Sequence, residues 1–84
     1  MKISDGYILR KIGDSYFAVS VRPVDAGRMV RLNETGALLW QALEKGADTT
    51  ALSALLMGEY EVDEATAAAD VQNFLASLGE IVKE

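Results

Sequence analysis

The spacing of apolar residues changes character once along this chain, at Leu32-Asn33. Before that point Val30 and Leu32 flank Arg31, a period of two. Beyond it Leu39 pairs with Thr35 and Leu43, and Trp40 with Leu43, at spacings of three and four. The first pattern belongs to a strand and the second to a helix. Upstream, Tyr7-Ile8-Leu9-Arg10-Lys11-Ile12 reads as a first strand and Tyr16-Phe17-Ala18-Val19-Ser20-Val21 as a second, joined by a turn at Gly13-Asp14-Ser15. In the second strand Phe17, Val19 and Val21 share one face, and Ala18 and Ser20 share the other. Pro23 lacks the N–H that a ladder needs and closes that strand. After the short connection Val24-Asp25-Ala26-Gly27, Arg28-Met29-Val30-Arg31-Leu32 forms a third strand, expected at the edge of an antiparallel meander.

The rest of the chain is helical. Asn33 suits an N-cap, Glu34 places a negative charge in the first turn, and the helix runs to about Glu44 before Gly46 stops it. Asp48 or Thr49 caps a second helix with Leu52, Leu55 and Leu56 on one stripe, ended by Gly58 and Tyr60. Asp63 caps a third, with Glu64 in its first turn, an inward face of Ala67, Val71, Phe74, Leu75 and Leu78, and Gly79 at its end. Ile81-Val82 trails behind as a short apolar segment. Trp40, the only tryptophan, is the largest candidate for the core. Three strands followed by three helices predict an α+β class, as one domain over residues 1–84.

Composition narrows the chemistry. Half of the 84 residues are hydrophobic, and a chain of this length buries ~60–65% of its unfolded surface. The absence of cysteine removes disulfides, thiolate metal sites and thiol nucleophiles. The absence of histidine removes the usual general base near neutral pH and the commonest transition-metal ligand. Ser53, Ser77, Thr49 and Thr50 have no histidine to activate them. Glu59 and Glu61 flank Tyr60 at a helix–loop junction and read as solvated, and Gly6, Gly13 and Gly27 are isolated turn glycines, not a phosphate loop. Neither catalysis nor a metal or other cofactor is expected. No apolar run approaches the ~18–20 residues of a membrane span, and Met1-Lys2-Ile3-Ser4-Asp5 does not read as a signal peptide, so a cytoplasmic protein is expected.

The charge is polarised. Residues 1–33 hold six basic residues against three acidic, residues 34–84 two against ten, which together make the net −5. A basic strand half thus sits on an acidic helical half. An acyl carrier protein would need a serine in an Asp-Ser-Leu context at a helix start, whereas Ser53 and Ser77 lie inside helices. A DNA-binding winged helix would need cations on its second or third helix, yet residues 48–78 contain no lysine or arginine. Asp63, Glu64 and Asp70 would repel phosphates, so nucleic acid is not an expected partner.

Three blocks carry a resemblance. Leu32-Asn33-Glu34-Thr35-Gly36-Ala37-Leu38-Leu39-Trp40, Glu59-Tyr60-Glu61-Val62-Asp63-Glu64 and Asp70-Val71-Gln72-Asn73-Phe74-Leu75 resemble, in order and spacing, the PqqD family. Those are the peptide chaperones of pyrroloquinoline quinone biosynthesis and the related recognition elements for ribosomally made, post-translationally modified peptides. The resemblance implies a small winged-helix-like domain that binds the leader segment of a precursor peptide and presents it to a modifying enzyme, often a radical SAM protein. It further implies that the leader adds as a strand to Arg28, Met29, Val30, Arg31 and Leu32 and lies against the side of the third helix that includes Asp70, Phe74 and Ser77. Two departures from the family pattern are the short connection from Pro23 to Gly27 and the ending Leu78-Gly79-Glu80-Ile81-Val82. From the residues alone, an edge strand offers unpaired backbone groups to an extended peptide, and Arg28 and Arg31 suit an acidic one. The same arginines equally read as protection of a bare edge, and Phe74 at helical spacing reads first as core. An alternative is a docking or dimerisation subunit that uses this edge without reading a leader, with a transcriptional regulator third. A monomer or weak dimer is expected.

Overall fold

The computed structural model describes residues 1–83, and their architecture is α+β. A three-stranded antiparallel meander is built from β2 (Tyr7–Ile12), β3 (Ser15–Ser20) and β4 (Met29–Leu32), with β3 in the centre. Three helices follow: α1 (Glu34–Lys45), α2 (Thr49–Glu59) and α3 (Glu64–Leu78). The β2–β3 hairpin closes through Gly13 and Asp14. Gly13 has φ +61° and Asp14 a negative φ, the pattern of a II′ turn whose twist matches the flanking strands.

The helix ends form where the capping chemistry places them. Asn33 Oδ1 accepts from the Gly36 N–H at 2.7 Å, Asp48 Oδ1 from Ala51 at 2.8 Å and Asp63 Oδ1 from Thr66 at 2.7 Å. Each satisfies an amide that the helix itself cannot. Gly46 and Gly79 end α1 and α3 with positive φ, and Tyr60 caps α2, with Gly58 lying inside that helix.

One core forms between the sheet and the helices, with Leu39, Trp40 and Leu43 of α1, Leu52 and Leu56 of α2, and Ala67, Val71 and Leu78 of α3 buried together. Trp40 is fully buried and meets Tyr7 edge to face at 6.0 Å between ring centroids. Among the described residues its indole N–H has no hydrogen-bond partner. The central strand turns Ala18 and Ser20 inward, both buried, and Phe17 and Val19 outward. Small inward side chains let α1 lie close to β3. Leu55, Phe74 and Leu75, expected in the apolar stripes, are only half-buried.

Both ends of the chain depart from the sequence reading. Ile81-Val82, expected to trail behind α3, instead leads from a 3₁₀ turn into a short strand, β5 (Val82–Lys83), which pairs antiparallel with β1 (Lys2–Ile3). Ser4 donates its N–H to the Ile81 carbonyl at 2.6 Å and its hydroxyl to that of Glu80 at 3.2 Å, while Ala47 donates to Met1 at 2.9 Å. The two-residue strands are too short to show an alternation, so only the partner strand reveals them. The connection after β3 is also more ordered than a plain loop, with a 3₁₀ turn at Pro23–Asp25.

Candidate functional site

β4 has β3 on one side and no described strand on the other. Its entry sets which backbone groups face the open side. Gly27, at φ +87°, donates its N–H to the Ser20 carbonyl at 3.2 Å, and the Ser20 N–H donates to the Arg28 carbonyl at 2.8 Å. Two residues thus oppose one, a β-bulge with glycine in its left-handed position. Hydrogen-bonded and non-bonded pairs then alternate along the ladder. Ala18–Val30 and Tyr16–Leu32 are the bonded pairs; Val19–Met29 and Phe17–Arg31 are not. The N–H and C=O of Met29 and Arg31 therefore point along the open edge, unpaired within the sheet.

Side chains follow the opposite division of the strand. Val30 and Leu32 face inward with Ala18 and Tyr16, while Met29 and Arg31 stand on the outer face with Val19 and Phe17. Arg31 leans across that face and donates from Nη2 to Ser15 Oγ at 3.4 Å. Arg28 is exposed beside the bulge.

A cavity of about 370 Å³ opens at the end of β4, between the first turn of α1 and the middle of α3. Asn33, Thr35, Gly36 and Leu39 line one side, and Asp70, Asn73 and Phe74 the other. Gly36 makes this cleft possible. A Cβ added there would stand 3.2 Å from Asn33 Oδ1 and 3.4 Å from Phe74 Cε1. Without it the Phe74 ring settles against the cap and forms a half-buried apolar floor. Asp70, one turn earlier, puts an exposed carboxylate on the rim, so the site carries cations on its sheet side and an anion on its helix side. On the other side of the β4 terminus a second recess is lined by Ser15, Arg31, Leu32, Asn33 and Glu34, among others. A further recess between α2 and α3, lined in part by Thr49, Ser53, Met57 and Val71, lies away from β4.

The residues singled out from sequence are thus only partly brought together. Met29 and Arg31 offer backbone at the edge, Val30 is half-buried beside it, and Asp70 and Phe74 line the cleft. Leu32 is buried in the core. Ser77 does not line the cleft and donates its hydroxyl to the Phe74 carbonyl at 2.6 Å. The cleft also brings in Asn33, Thr35, Gly36, Leu39 and Asn73, which the sequence pattern does not mark as site residues. One signal for them was a glycine in a first helical turn, a poor helix former with no turn to make. Another was the spacing of Asp70, Asn73 and Phe74, which shares one helical face.

Comparison with known proteins gives this geometry a context. The model of the family described as coenzyme PQQ synthesis protein D (PqqD) matches residues 18–81. Among solved structures, TbiB1 in complex with the TbiA(beta) leader peptide is similar at a TM-score of 0.81 and 28% identity, covering 99% of this chain and 95% of that one. Lasso peptide synthetase B1 complexed with the leader peptide is similar at a TM-score of 0.76 and 25% identity, over 94% and 89% of the two chains. No curated protein sequence matches.

Proposed function

The chain belongs to the PqqD family, and from that premise we propose that it is a recognition element that binds the leader segment of a ribosomally made precursor peptide. The leader lies along β4 as an added strand, with its backbone bonded to Met29 and Arg31. Alternate leader side chains then fall toward the cleft of Gly36, Asp70, Asn73 and Phe74, and the others onto the outer face of the sheet. The domain holds the peptide and performs no chemistry on it; it presents it to a separate modifying enzyme, with a radical SAM protein the first candidate. Arg28 and Arg31 favour acidic leader positions, and Asp70 favours a basic one.

The observation that carries this reading is the open edge of β4 standing beside a cleft with an apolar floor. It is supported by the two similar structures, each of which is a complex with a leader peptide. The test is a titration of ¹⁵N-labelled protein with candidate leaders. Amides of Met29, Arg31, Gly36, Asn73 and Phe74 should shift together, with micromolar or tighter affinity. Shifts confined to α2 would exclude this site.

A further inference from the structure

An antiparallel sheet with helices on one face normally turns polar residues to the other. This sheet departs from that rule along its central strand. Phe17 and Val19 point away from the core, while Ala18 and Ser20 point into it. The cross-strand registers extend that outer surface over all three strands. Ile8, Val19 and Met29 form one row, and Arg10, Phe17 and Arg31 the next. Ile8 is 37% exposed, Met29 55% and Ile12, at the end of β2, 64%. No acidic residue stands on this face of the strands. Apolar side chains exposed across adjacent strands and flanked by arginines suit a contact surface.

We propose that the outer face of the sheet docks the modifying enzyme through an apolar surface of that enzyme rimmed by carboxylates. This rests on the reading of the domain as a peptide adaptor. The charge pattern selects the occupant. Two copies packed face to face through this surface would bring four guanidiniums together, which disfavours a homodimer. The net charge of −5 and the acidic helical half oppose nucleic acid and anionic membranes. An acidic, apolar protein surface matches both rows at once. The arrangement also suits presentation: the leader occupies the edge of β4 and the cleft beyond it, while the enzyme sits on the sheet beside that strand.

The experiment pairs Ile8→Glu with Arg10→Glu on β2, the strand farthest from the leader edge. The purified full chain, the leader it binds and the modifying enzyme encoded with that leader are the components. Leader affinity of the double variant should stay within about twofold, which also reports that it is folded. Enzyme affinity, measured by calorimetry with no peptide present, should weaken on the order of tenfold or more, as for loss of interface anchors. Arg10→Glu alone should weaken it less, with an effect that shrinks as salt rises. Unchanged enzyme binding in the double variant would overturn the proposal, as would a wild-type chain that does not bind the enzyme. So would a wild-type chain that dimerises, binds single-stranded RNA or binds anionic vesicles through this face, each lost in the variant. Failure of the wild type to bind any leader would instead remove the adaptor reading, since enzyme binding is measured without peptide.

Discussion

Two neighbouring proline substitutions on β4 separate the groups that hold the sheet from those that await a peptide. In Val30→Pro the lost N–H is the one bonded to Ala18, whose residue is fully buried at 0% exposure. An acceptor left unpaired in that position costs about 1–3 kcal/mol, and the proline ring adds strain at Met29, for about 2–4 kcal/mol in all. An 84-residue domain has on the order of 4–12 kcal/mol to lose. At ~4–8 °C per kcal/mol the melting temperature should fall by roughly 8–32 °C, or the domain should fail to fold. In Met29→Pro no bond within the sheet is lost, because that N–H faces the open edge. Its stability should drop by less than about 1 kcal/mol and its melting temperature by a few degrees. Leader affinity, however, should weaken by about 5–10-fold or more, since one backbone bond is gone and the ring occupies its place. Thermal melts by circular dichroism and anisotropy titrations with a labelled leader read both quantities. A stable Val30→Pro beside an unfolded Met29→Pro would mean that the ladder has the other parity. A folded Met29→Pro that binds the leader at full strength would refute strand addition on β4.

Reversing Arg28 and Arg31 together to Glu should weaken binding of an acidic leader at low salt, and added salt should narrow the gap, because both side chains are exposed and screened; equal affinities at low salt would leave the arginines as edge protection only. Gly58→Ala should stabilise the domain by about 0.5–1 kcal/mol, since that helical glycine has open space around it, whereas Gly36→Ala should gain less and perturb leader binding, because its Cβ would press on Asn33 and Phe74; denaturant titrations compare the two. The Thr66 backbone N–H, helped by its hydroxyl, holds the Asp63 carboxyl below its ordinary value. Its folded-state pKa is therefore depressed, so this cap contributes fully above the unfolded pKa of about 4 and is lost as pH falls through the lower folded value. Asp63→Asn should accordingly show a shallower loss of stability on acidification below about pH 4 than the wild type, and parallel curves would refute the assignment.

The sequence by itself determined the order and type of the main elements. Asn33, Asp48 and Asp63 each place a side-chain oxygen where a helix must begin, and Gly46 and Gly79 stand where two helices end. These are interactions within four or five residues, so local spacing reveals them. The identity of β4 as an edge strand was also legible, because three consecutive short strands with tight connections leave the third on the outside. What the tertiary structure alone decided involves groups that meet across long separations. The two-residue strands at either end exist only because Lys2–Ile3 and Val82–Lys83 find one another. The cleft exists because Phe74 meets Gly36, and neither residue announces the other. The direction of each backbone N–H on β4 follows from the bulge of Gly27 and Arg28 against Ser20, seven or more positions away. Alternation in the sequence separated Phe17 and Val19 from Ala18 and Ser20, but it could not say which pair faced water. Only the packing of Trp40 and α1 against the sheet chose the small pair for the inside, since two layers can approach only where their side chains leave room.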